Sequence, residues 1–174
     1  GARMDSADSS VRCAVIETLV RAAAFASEET RRVVARRIED ALAERSDAVR
    51  SRALEALVGF APLAPEGSLD GALSVVGNGI ARGADRWWRA SAIAALRQIP
   101  NHLGPAMPWL LTAVEGPALP ERLQIVDLLA SARPAMPQHD EAIVAALLAL
   151  LEDTSREALV VALDGLALWP TPPC

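Results

Sequence analysis

The chain has 174 residues, 52% of them apolar but only 3% aromatic and none of them tyrosine, so its core must be built from Ala, Leu, Val and Ile. A chain of this length suits one domain that buries roughly 70% of its unfolded surface. The net charge of −5 resides in residues 61–174, which carry seven Arg against twelve acids, where residues 1–60 carry ten of each; such a surface repels phosphate and disfavours nucleic acid as a partner. All 17 basic residues are arginine, which folding does not require and a GC-rich genome explains. Cys13 and Cys174 form neither a disulfide framework nor a metal motif and agree with a reducing compartment. The longest apolar run, residues 142–151, is too short to span a bilayer, and no basic-then-apolar leader opens the chain. A cytoplasmic protein with no membrane partner is expected.

Residues 1–4 read as a cloning remnant and a start, 5–170 as a single domain and 171–174 as a tail. Residues 5–10 are polar and cap-rich, and the first helix is expected over 10–25, with Val11, Val15, Ile16, Leu19 and Val20 inward and Glu17 and Arg21 outward. Ser27 is the N-cap of a helix over 28–45 whose Glu28 and Glu29 suit the positive end of its dipole. That helix carries Arg31, Arg32, Arg36 and Arg37, but Glu28/Arg32 and Arg36/Asp40 fall at i,i+4, so a self-paired solvated face is expected rather than a phosphate patch. A third helix starts at Asp47 and ends before Pro62, Pro65 and Gly67.

A helix follows over 68–82. Its Gly77-x-Gly79-x-x-x-Gly83 string has the glycine content of a nucleotide loop, but no strand precedes it and no Lys or Ser/Thr follows where phosphate contacts would need them, so a kinked or close-packed helix is expected. Asp85 caps a helix through Gln98. Helices are then expected over 109–115, from Pro120 to Arg133, over 140–152, and over 155–169 with a Thr154-x-x-Glu157 capping box, about nine in all. Pro105-Ala106-Met107-Pro108 is echoed by Pro134-Ala135-Met136-Pro137, so the loops are expected to repeat as the helices do.

The helices beginning near 10, 48, 86, 120 and 155 share a register. Arg12, Arg50, Arg89, Arg122 and Arg156 are each followed seven residues later by leucine, namely Leu19, Leu57, Leu96, Leu129 and Leu163, and three residues later by Val15, Ala53, Ala92, Ile125 or Leu159. This is the i+3/i+7 stripe of a buried helix face. The spacings of 38, 39, 33 and 34 residues lie in the range of stacked helical hairpins.

With Asp8-x-x-Val11-Arg12, Asp47-x-Val49-Arg50, Asp85-x-x-Trp88-Arg89 and Asp153-x-x-Arg156 each opening an Ala/Leu stripe, nearly the whole chain resembles the HEAT-repeat family. The resemblance implies an all-α, armadillo-like right-handed superhelix of four to five hairpins, with the Val-Arg helices on the concave side. It further implies an Asp/Arg ladder between adjacent units, formed by Asp8, Arg12, Asp47, Arg50, Asp85, Arg89, Asp153 and Arg156. The unit at Arg122 has Pro120-Glu121 in place of the aspartate, so the ladder is expected to break there.

Catalysis needs convergent titratable groups, and the sequence offers few. His102 and His139 fall in loops without ligand spacing for zinc, and Asp140-Glu141 beside His139 suits a helix start. Cys13 reads as a small buried hydrophobe. Some HEAT-like proteins are alkylpurine DNA glycosylases, which the resemblance brings into view; the residues four after Trp87, Trp88, Trp109 and Trp169 are Ser91, Ala92, Ala113 and Pro173, so the Trp-x-x-x-Asp arrangement is absent. A bilin-lyase-type relative has no supporting motif.

A non-catalytic protein-interaction scaffold is therefore expected, without cofactor or nucleic acid, as a segment of a larger repeat protein. Its partner-binding candidates are the outward residues Glu17, Arg21, Arg52, Glu55, Trp87, Ser91, Gln98, Gln124 and Asp127. Trp87 takes an outward column and Trp88 an inward one. The apolar C-terminal hairpin, which presents Val161 where earlier units have Glu17, Glu55 and Asp127, is expected to be covered by flanking sequence or by self-association.

Overall fold

The computed structural model describes residues 2–82, 85–115, 121–151 and 156–167. Among them the fold is all-α, without strands: α1 Ala2–Ala23, α2 Glu28–Leu42, α3 Asp47–Phe60, α4 Asp70–Arg82, α5 Arg86–Arg97, α6 Met107–Glu115, α7 Arg122–Ala132, α8 Asp140–Leu151 and α9 Arg156–Ala167, with short 3-10 turns between several of them. The start of α1 lies earlier than expected, so residues 5–10 continue the helix instead of capping it. The caps expected at Ser27 and Asp85 are present, while Pro120, the expected start of a helix, lies outside the described residues and that helix is described from Arg122. The Ser27 hydroxyl accepts from the Thr30 amide at 3.3 Å, and the Asp85 carboxylate from the Trp88 amide at 2.9 Å. Each satisfies an orphan donor of a first turn. The Thr154 box lies outside the described residues.

The helices pack in two rows. In one, α1 meets α3, α3 meets α5, α5 meets α7 and α7 meets α9; in the other, α2 meets α4, α4 meets α6 and α6 meets α8. Contacts of α2 with α3, α4 with α5, α6 with α7 and α8 with α9 tie the rows into hairpins. The inward columns Ala53, Ala92 and Ile125, then Leu57, Leu96 and Leu129, are all buried between the rows. Small side chains set the distances. In α4 a Cβ on Gly79 would lie 2.5 Å from the Trp88 ring, and one on Gly77 would lie 3.0 Å from Trp109 Cβ. Gly77 and Gly79 are thus close-packing positions within α4, and Gly83 lies outside the described residues.

Two helices depart from the register. Val11 and Val15, expected inward, are 62% and 50% exposed. α1 packs on α2 and α3, so the side of the helix that carries these valines has no neighbour. In α9 the buried line is Ala158, Ala162 and Gly165, while Leu163 is 59% exposed and Leu159 only partly covered. A Cβ on Gly165 would come within 2.7 Å of Leu147 and 3.1 Å of Ala130. The Ala-Ala-Gly line therefore lets α9 settle closer to α7 and α8 than a leucine line would.

The loop echo is also different. Pro105-Ala106-Met107-Pro108 runs into α6, whereas Pro134-Ala135-Met136-Pro137 precedes α8 by a further turn. The backbone pairs a different set, Ile99-Pro100-Asn101-His102 with Met136-Pro137-Gln138-His139. Ile99 has φ −128° and ψ 51°, Met136 has φ −139° and ψ 59°, and in both loops the His amide donates to the carbonyl of that residue at 3.0 Å. Both residues are buried ahead of a proline that opens a 3-10 turn. Helix-end geometry, not the Ala-Met pair, is what repeats.

Candidate interaction face

The outer side of the α1/α3/α5/α7 row carries the outward columns of the register helices, and charge pairs cross it from hairpin to hairpin. The Arg52 guanidinium lies 3.1 Å from Glu17 of α1 and 2.5 Å from Glu55 of its own helix, and Arg21 reaches the same Glu17 at 3.9 Å. Farther along, Arg97 of α5 pairs with Asp127 of α7 and donates to the Gln124 carbonyl at 3.4 Å. These groups are roughly half-exposed, so each pair contributes at most about 1 kcal/mol; their effect is to set which atoms of the face remain available. Between the pairs lies a groove of about 390 Å³ lined by Leu54, Glu55, Val58, Ser91 and Gln98. A separate open cleft of about 1030 Å³ lies between α1 and the α2–α3 turn, with Ser9, Cys13, Glu17, Arg45 and Ser46 on its walls.

The candidates therefore fall into groups. Glu17, Arg21, Arg52 and Glu55 form one cluster, Gln124 and Asp127 another, and Ser91 and Gln98 share the groove with Glu55. Trp87 stands apart at the start of α5 and is 86% exposed, while Trp88 is 5% exposed. Trp88 packs beneath the Arg50 guanidinium, 5.5 Å from the ring centroid, with its indole N–H lacking a hydrogen-bond partner. Arg97 is absent from the expected set. Its signal was a basic residue eight places after Arg89, able to meet the acid at Asp127 once the row is stacked.

The Asp/Arg ladder has its own geometry. Arg50 joins Asp47 of its own helix to Asp85 of the next unit, the latter at 3.5 Å. Arg12 pairs with Asp8 at 2.6 Å and with Glu44 at 3.2 Å, so Glu44 takes the place expected of Asp47. The ladder does not break after Arg89. Glu121 replaces the missing aspartate, accepts from Arg89 Nε at 3.1 Å and is 3% exposed, with Arg86 at 3.7 Å. Its extra methylene supplies the reach that Pro120-Glu121 was expected to forfeit. Arg122 is half-buried, and Asp153 and the Arg156 side chain lie outside the described residues.

On α2, Glu28 and Arg32 pair at 2.7 Å as expected, but Asp40 pairs with Arg37 at 3.4 Å rather than with Arg36. Cys13 is partly buried rather than core, its thiol 3.7 Å from the Ala48 carbonyl. His102 and His139 close the two 3-10 turns, and among the described residues no three His, Cys, Asp or Glu side chains converge as a metal site. No described helix is long and apolar enough to cross a membrane. Comparison with family models, curated proteins and solved structures finds no match.

Proposed function

We propose that this chain is a non-catalytic protein-interaction scaffold, a right-handed solenoid of HEAT-like hairpins whose α1/α3/α5/α7 face receives a protein partner. The observation that carries the reading is the cross-hairpin polar face itself. Its groove between α3 and α5 has an apolar floor at Leu54 and Val58 and hydrogen-bonding rims at Ser91 and Gln98, the mixture that protein interfaces use. The alternation of helix contacts in two rows supports the solenoid. Trp87, exposed at the start of α5, supplies an anchor of the type enriched at binding hot spots.

The test is affinity capture with the intact chain from its own source. Trp87→Ala is expected to weaken the captured partner by roughly tenfold or more, with an unchanged circular dichroism spectrum. Full affinity in that variant would remove Trp87 from the interface, and loss of nothing in an Arg52→Glu, Gln98→Ala variant would remove the whole face.

Duplex DNA is not the expected ligand. Arg21, Arg52 and Arg97 along the face each pair with a carboxylate, which offsets the charge a phosphate would meet. In a gel shift the chain is expected to bind no better than an inert acidic protein. A salt-sensitive submicromolar complex would overturn the reading in favour of a nucleic-acid-binding relative.

A further inference from the structure

We draw no further inference here: the strongest candidate, the apolar surface patch formed by Leu148 and Leu151 of α8 with Val160 and Leu163 of α9, carries none because nothing in the structure shows what covers it.

Discussion

Glu121→Ala is expected to lower stability by about 3–5 kcal/mol, the cost of breaking a buried ion pair by removing one partner. Glu121 is almost wholly covered and its carboxylate holds Arg89, itself only 12% exposed in its side chain, at 3.1 Å. With the acid gone, a charge remains in a site with little water to solvate it. For a chain of this size each kcal/mol moves the midpoint of thermal unfolding by roughly 2–4 °C, so a fall of roughly 6–20 °C is expected by far-UV circular dichroism. The comparison is Arg52→Ala on the exposed face, where loss of the pairs to Glu17 and Glu55 is expected to cost under about 1 kcal/mol. Replacing both members, Arg89→Met with Glu121→Leu, is expected to recover most of the loss, since apolar groups of similar volume carry no desolvation cost. If Glu121→Ala costs no more than Arg52→Ala, the buried pair is not what joins α5 to α7.

Gly79→Ala is the second large effect, and here two terms oppose each other. An alanine inside a helix is favoured over glycine by about 1 kcal/mol. Against that, the new Cβ would sit 2.5 and 2.6 Å from two atoms of the Trp88 ring, which is buried and held between α3 and α4. Overpacking of this kind costs about 1–3 kcal/mol, and because a rigid ring cannot bend aside the steric term is expected to win, with a net loss of up to about 2 kcal/mol. A double-mutant cycle isolates it. In a Trp88→Leu background, where the ring is gone, Gly79→Ala is expected to be neutral or stabilising in urea unfolding. A destabilisation of equal size in both backgrounds would mean that the contact with Trp88 is not the cause.

Much of the site was legible because it follows from local repetition. Glu17, Arg52 and Glu55 were expected outward from their columns, and the stacked rows place them in one ion-pair cluster. Trp87 and Trp88, adjacent and identical in type, were assigned opposite sides by column, and their burial differs accordingly. The partners chosen across the stack were not legible. Arg12 selects Glu44, Arg89 selects Glu121 and Arg97 selects Asp127, because the distance between two side chains on neighbouring hairpins depends on how closely the backbones approach. A register rule based on residue type missed Glu121 for want of an aspartate, although a glutamate reaches farther.

The order and approximate bounds of the helices, their caps and breakers, and the buried columns of α3, α5 and α7 are properties of the chain read residue by residue. A 3.6-residue period and an N-cap are local quantities, and they agree with one another along most of this sequence. Burial is not a local quantity. Val15 and Ala53 occupy the same column and differ by half of the valine's surface, because α3 has neighbours on both sides and α1 on one. Leu163 shares its column with the fully buried Leu129, yet α9 turns its Ala158, Ala162 and Gly165 line inward because small residues let it approach Ala130 and Leu147. Periodicity assigns a side chain to a stripe on its helix; whether that stripe meets protein or water depends on which helices come to lie beside it, and only their packing in three dimensions decides that.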